Sequence, residues 1–148
     1  MKKFKFSLAT VLDYKQQVLD ALKGEHAAIL AKVRAQEALL ERIEERYSAY
    51  NLEFRDRKLE GLSIAEALLY ENGLRALERE IRRETEVLHK LYQEEEAKRA
   101  EVVAAKQETA SLEKLREKKL QSYNREVQKA EERLIDEFIS AARAQAGA

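Results

Sequence analysis

Apolar side chains recur along the first third of the chain at spacings that alternate strictly between four and three residues. The run begins at Leu8, ends at Phe54 and never loses register. Spacings that average about 3.5 residues keep one stripe of side chains facing a partner helix as two helices wind into a left-handed supercoil. The pattern therefore predicts a long helix over residues 4–58 that packs as one strand of a coiled coil. The stripe consists of Leu8, Leu12, Lys15, Leu19, Leu22, His26, Ile29, Val33, Gln36, Leu40, Ile43, Tyr47, Tyr50 and Phe54.

Two phenylalanines, Phe4 and Phe6, precede the stripe on a leader rich in lysine. They are spaced by two residues, which is not the helical period. Two interpretations stay open for them: a frayed first turn of the helix, or a hydrophobic contact for a partner.

The helical pattern is interrupted once. Gly61 suits the left-handed residue that ends many helices, and Ser63–Glu66 has the spacing of a capping box, which starts a helix. We expect a short helix over residues 63–71, then a kink or boundary at Asn72-Gly73, then a second long helix over residues 74–144. The predicted fold is all-α: two long helices form an antiparallel coiled-coil hairpin, with the short helix at the reversal.

The second long helix carries its own apolar stripe. Past Leu112 two successive steps of four residues form a stutter, which locally unwinds a supercoil. Because this helix is longer than the first, Tyr123–Ile139 should extend past it as a single exposed helix, and an exposed apolar face usually marks a binding site. The stripe consists of Leu74, Leu77, Ile81, Leu88, Leu91, Val102, Ala105 and Leu112, followed by Arg116, Leu120, Tyr123, Val127, Ala130 and Leu134.

Composition supports long, solvated helices. The chain has no proline and four glycines in 148 residues, and proline breaks helix interiors. Charged residues make up 38%, with 28 basic and 28 acidic side chains and no net charge, which argues against nucleic-acid binding. The chain has no cysteine, and no apolar run approaches the roughly 18 residues of a membrane span. We expect a soluble, cytoplasmic protein without membrane insertion.

No set of residues predicts catalysis. Phosphate-binding glycine loops and metalloprotease or hydrolase motifs are absent from the sequence. The two histidines are distant in sequence, and no ligand sits one turn from His26, so neither a metal site nor a cofactor is expected. Lys15, His26 and Gln36 are polar stripe positions, which weaken a coiled coil but fix its register. The run Glu94-Glu95-Glu96 is interpreted as a solvated helix face.

Several segments resemble the FliJ family, small coiled-coil proteins of the bacterial flagellar export apparatus. The resemblance begins with Phe4–Leu8 and the following Val11-Leu12. It continues with the run Leu112–Lys119, with Tyr123, and with Ile135–Phe138 near the end. It spans essentially the whole chain.

The resemblance implies a function in flagellar protein export, a type III secretion process that serves motility and chemotaxis. FliJ proteins are similar in form to the central stalk of rotary ATPases. They bind the hexameric flagellar export ATPase, promote its ring assembly and activity, contact the cytoplasmic domain of the export gate, and hand over export chaperones. By this resemblance the chain is a regulator of an ATPase and not itself an enzyme. It would lie at the cytoplasmic face of the inner membrane as a peripheral protein.

Two groups of residues are candidates for these contacts. By resemblance, Ile43, Tyr50 and Leu77 are the positions that match the gate-binding face of the family, although Gly73 stands where the family has an aromatic residue. The same three positions also fit simple packing between the helices. The end of the second helix should dock the ATPase, because long side chains of mixed sign suit contacts in several directions. The residues expected there are Arg116, Lys118, Lys119, Arg133 and Asp136.

Two alternatives remain open. The chain is either the flagellar stalk or the equivalent stalk of an injectisome secretion system. Alternatively, it is a purely structural coiled coil that forms a homodimer through the stripe of residues 8–54. The stalk interpretations predict a monomer when the protein is free.

Overall fold

The computed structural model describes residues 2–147, and these residues form two long helices. Helix α1 spans Ala9–Glu60, 52 residues, and helix α2 spans Ile64–Ala146, 83 residues. Residues 61–63 join the two helices, and the described part of the chain contains no strand. The predicted all-α fold with two long helices is confirmed.

The turn uses the two signals that the sequence offers. Gly61 has a φ of 104°, a left-handed conformation that costs glycine little, and its amide donates to the carbonyl of Arg57 at 3.0 Å. The hydroxyl of Ser63 accepts a hydrogen bond from the amide of Glu66 at 3.1 Å, which satisfies one of the free donors at the start of α2. Chain reversal at this point is therefore encoded locally.

The separate short helix over residues 63–71 is not present. Helix α2 runs without interruption through Asn72-Gly73, so the predicted boundary there is wrong. The reason lies across the helix pair. The ring of Tyr50 occupies the space where a side chain at position 73 would begin: a Cβ built on Gly73 would lie 2.6 Å from it. This packing selects glycine inside a helix whose local sequence suggests a break.

Contacts group the described residues into two compact units, each of which pairs part of α1 with part of α2. The first, here called the turn unit, is Ala21–Val102. Its core lies along the predicted stripes, and Ile43, with 2% of its surface exposed, is the most deeply buried large side chain. Antiparallel pairing is evident from its cross-helix contacts, which join His26 to Glu95 and Tyr47 to Glu78. The buried apolar residues of this unit are Val33, Ile43, Phe54, Leu74, Leu88 and Val102.

One buried polar layer interrupts this core. Glu95 is only 8% exposed, so the interpretation of residues 94–96 as a solvated face is wrong for Glu95, while Glu94 and Glu96 are exposed. Arg99 donates to its carboxylate from one turn away, and Nε2 of His26 lies 2.9 Å from it across the pair. These hydrogen bonds, first from Arg99 and then from His26, lower the pKa of Glu95 to about 2.

The second unit, here called the terminal unit, contains the residues up to Asp20 and those from Val103 onward. Leu12 and Thr109 are buried between its two helices, and the Thr109 hydroxyl donates to the carbonyl of Ala105 at 2.9 Å. At the rim of this contact, Lys15 forms an ion pair with Glu108 at 2.8 Å. These contacts fix α1 on α2 in antiparallel orientation within this unit.

The first helix begins later than predicted. It starts at Ala9 and not at residue 4, and residues 2–6 have no regular secondary structure. Phe4, Phe6 and Leu8 are half-buried while Lys3 and Lys5 are exposed. The two-residue alternation of this segment thus places its apolar side chains on α2 and its lysines in solvent, an arrangement that a helix would not give.

Candidate partner-binding surfaces

The C-terminal part of α2 is an exposed, single helix. Every residue from 128 to 147 is exposed, and Leu134 and Phe138 expose 68% and 76% of their surfaces. The expectation of an uncovered apolar face is confirmed for this stretch. It is wrong for Tyr123 and Val127, which are half-buried.

The N-terminal segment covers Tyr123. The Tyr123 hydroxyl donates to the carbonyl of Lys2 at 2.5 Å, and its ring centroid lies 5.6 Å from that of Phe4. The guanidinium of Arg116 lies 5.9 Å from the centre of the Phe4 ring, within the range of a cation–π contact. The leader is therefore not a frayed helical turn, and its apolar side chains contact α2 of the same chain.

The five charged residues expected to dock a partner are all exposed on α2 within the terminal unit. Lys118 and Asp136 are eighteen residues apart and lie on one side of the helix, whereas Arg116 lies on the side of Tyr123, two turns before it. None of the ion pairs formed among residues 2–147 involves Arg116, Lys118, Lys119, Arg133 or Asp136. Their charged groups are consequently available to a partner.

The second group of predicted site residues lies in the turn unit. Tyr50 and Leu77 are half-buried and line one groove, of about 500 Å³, together with Gly73. Arg46 and Glu80 also line it, so its surface is mixed apolar and charged. Ile43 belongs to the same unit but is buried between the paired helices. No partner reaches it there while the helices stay paired.

An aromatic cluster continues from this groove toward the turn. The ring of Tyr70 lies 5.1 Å from that of Tyr50 and stacks on that of Phe54 at 5.1 Å and an interplanar angle of 3°. The amine of Lys58 lies 3.8 Å from the centre of the Phe54 ring. Sequence reasoning missed Tyr70, because the residue lies outside the second stripe as the sequence defines it. The signal for it was the aromatic stripe of α1, which needs an aromatic or apolar partner on the returning helix.

Neither surface has the features of a metal centre or of a membrane-spanning segment. Among residues 2–147, no three His, Cys, Asp or Glu side chains converge where they would hold a metal ion. Within that same range, no helix combines the length and the apolar character that a membrane crossing requires.

Comparison with known proteins identifies the family. A family model described as "Flagellar FliJ protein" matches residues 4–147, nearly the entire chain. The chain belongs to the FliJ family. No curated protein and no solved structure gives a match. FliJ membership makes this a coiled-coil protein related to flagellar export, and the family is one of structural export components and not of enzymes.

Proposed function

We propose that this FliJ-family chain is a stalk that binds the hexameric flagellar export ATPase through the C-terminal part of α2 and promotes assembly and activity of the ring. The observation that carries the proposal is the single, fully exposed helix beyond residue 127. In the terminal unit α1 begins at Ala9 and leaves this part of α2 without a partner helix. A helix exposed on all sides can contact several subunits that surround it.

The chemistry of this end suits such a position. Arg116, Lys118 and Lys119 present positive charge on different sides of the helix, and Arg133 and Asp136 add one charge of each sign further along α2. Charged side chains steer association and orient a partner while contributing little to folding. Binding to the ATPase should therefore weaken as ionic strength rises.

Charge reversal tests this proposal. Arg116, Lys118 and Lys119 are changed together to glutamate, and ATPase stimulation and binding are measured with the purified ring. A matched control reverses Lys32, Arg34 and Arg42, which are exposed in the turn unit. We expect the first triple variant to lose stimulation and the control to retain it. Both should keep wild-type helicity, since exposed charges contribute little to stability.

Equal stimulation by the two triple variants would show that the docking end is misassigned. A wild-type chain that never binds or stimulates the ring would refute the stalk function itself. Measuring the affinity of the wild-type complex at increasing salt concentration provides a second test, because an electrostatic contact predicts steadily weaker binding at higher salt.

We also propose that the groove lined by Tyr50 and Leu77 contacts the cytoplasmic domain of the export gate, and that Ile43 supports it from below. The half-buried ring of Tyr50 and the mixed lining of the groove favour a protein contact. The test is a pull-down with the gate domain by Tyr50→Ala and Leu77→Ala, with Leu52→Ala, an exposed position on α1, as the control. Retention of binding by both groove variants would refute the assignment.

The proposed role also includes delivery of export chaperones and a peripheral position at the inner membrane, and both are proposed from the resemblance to the family alone. The family favours the flagellar system over an injectisome. The stripe of residues 8–54 is packed against α2 of the same chain in each unit, which favours a monomer over a homodimer. Light scattering tests this directly: a concentration-independent dimer would favour the structural coiled coil.

A further inference from the structure

We propose that residues 2–8 form a strap that covers part of the docking surface on α2, and that the export ATPase displaces this strap when it binds. The docking surface would then include the face of α2 that carries Arg116 and Tyr123, in addition to the exposed end. The inference rests on the proposed function, since it concerns the same end of the same helix.

The covered face and the exposed face form one continuous stripe. Tyr123, Val127, Ala130 and Leu134 follow at spacings of four, three and four residues, so they lie on one side of α2. The first two are half-buried and the last two are exposed. The strap contacts this stripe at Tyr123, and the stripe becomes exposed two helical turns further along, at Ala130, although its residues stay apolar.

Phe4 of the strap lies close to Arg116, a residue of the proposed docking surface. Phe4 packs on the Tyr123 ring at 5.6 Å and lies 5.9 Å from the guanidinium of Arg116. A partner that binds Arg116 from the side of Tyr123 must therefore move Phe4. Phe6 and Leu8 follow Phe4 along the strap and are half-buried as well.

Few interactions oppose displacement. Within residues 2–147, no backbone–backbone hydrogen bond involves residues 2–5, and the polar contact that the segment makes with α2 is the bond from Tyr123 to the carbonyl of Lys2. Regular bonding begins only where the amide of Ala9 donates to the carbonyl of Phe6 at 3.1 Å. Segments with few backbone bonds and half-exposed side chains open at low cost.

The helix beyond the strap is anchored independently. Leu12 is buried, and Lys15 is paired with Glu108. The strap can consequently leave α2 while α1 stays in place.

A fluorine reporter follows the strap directly. The chain has no tryptophan, so the Phe4→Trp variant carries a single site for 5-fluorotryptophan, and Phe6→Trp provides a second, independent reporter. In the free chain the resonance should differ from that of a Tyr123→Ala reference, in which the strap has lost its platform. On addition of the ATPase hexamer, a displaced strap gives a narrow line at the position of that reference. A strap that stays on α2 in so large a complex gives a broad line instead.

Affinity supplies the second measurement. A strap that is open about one tenth of the time lowers the apparent affinity about tenfold, so weakening the strap should tighten binding by up to that factor. The variant is Phe4→Ser with Phe6→Ser, which leaves α2 unchanged. The matched control is Leu59→Ser with Ile64→Ser, two apolar residues of the turn region that are each 83% exposed, and it should bind like wild type.

The outcomes separate the strap from the docking surface. Tighter binding of the Phe4/Phe6 variant together with a narrow fluorine line supports the inference. Binding that is detected for this variant and not for the wild type supports it most strongly. Equal or weaker binding, or a broad line in a complex that does form, overturns the strap but leaves the proposed docking intact. Absence of binding by both wild type and the Phe4/Phe6 variant overturns both.

Discussion

Replacing Gly73 by alanine tests how the turn unit accommodates Tyr50. A Cβ at position 73 would lie 2.6 Å from both Cε1 and Oη of Tyr50 and 2.8 Å from its Cζ. Carbon atoms do not approach so closely, so the ring must move. Moving it disturbs the contact with Tyr70, whose ring centroid is 5.1 Å away, and the long hydrogen bond of 3.5 Å to the carbonyl of Leu69.

Two opposing contributions decide the result. Alanine in place of a glycine inside a helix stabilises by about 1 kcal/mol. Loss of one aromatic pair costs about 0.5–1.5 kcal/mol, so the two changes should nearly cancel in the wild-type background. When Tyr50 is already alanine, the clash is gone and Gly73→Ala should show its full gain of about 1 kcal/mol. The coupling between the two positions is therefore expected to be about 1 kcal/mol.

Urea unfolding followed by circular dichroism gives the four free energies of this double-mutant cycle, provided that the denaturant slope is unchanged. Gly24→Ala is the matched control, because a Cβ at Gly24 has no neighbouring atom within 4 Å. That variant should gain about 1 kcal/mol in both backgrounds. If Gly73→Ala gains the same stability with and without the Tyr50 ring, the ring does not exclude a side chain at position 73, and the steric explanation for the glycine is wrong.

Three further substitutions test other parts of the fold by thermal and urea unfolding. Ile43→Ala should lose about 2–5 kcal/mol, as expected for a buried aliphatic residue, whereas Leu134→Ala, on the exposed helix, should change stability by less than about 0.5 kcal/mol; equal losses would mean that Ile43 is not in a core. Gly61→Ala should lose about 1–2 kcal/mol, because its φ of 104° strains any residue with a Cβ, and an unchanged midpoint would contradict that geometry. The pKa of Glu95 is lowered from an ordinary 4.5 to about 2, so its ionised carboxylate stabilises the folded state at pH values above 4.5. That stabilisation is lost as the pH falls toward 2. The difference in melting temperature between wild type and Glu95→Gln should therefore be largest near neutral pH and shrink between about pH 4.5 and 2, and a difference that does not change with pH would argue against the ionised carboxylate.

Periodicity predicted the buried side of the helices well. All fourteen positions of the first stripe, including polar Lys15 and Gln36, are buried or half-buried. This succeeds because a helix repeats its geometry, so one register fixes the environment of every stripe position. The same reasoning could not give the state of Glu95. Its burial depends on His26 and Arg99 being in reach, and His26 lies on the other helix, 69 residues away.

Local signals failed where a contact distant in sequence decides the conformation. Asn72-Gly73 favours a boundary when read alone, but Tyr50 fills the space beside Gly73 and the helix continues. In the same way, Phe4 and Phe6 lie in a non-helical segment that packs on α2. Helix α1 therefore begins at Ala9 and not at residue 4. The candidate surfaces share this property: their charged residues are visible in the sequence, but the strap that covers Tyr123 is not.

The position of a docking surface in a paired helix follows from where the pairing stops. Along α2 the apolar stripe has the same chemical character at Leu112 as at Leu134, yet one side chain is half-buried and the other is 68% exposed. Residue type therefore cannot separate packing from binding in such a chain. What separates them is the start of α1 at Ala9 and the short strap before it. A chain that lengthened α1 at its N-terminus would cover the stripe permanently and remove the proposed docking surface, whereas residues 2–8 contact the stripe at Tyr123 and leave Ala130 and Leu134 exposed.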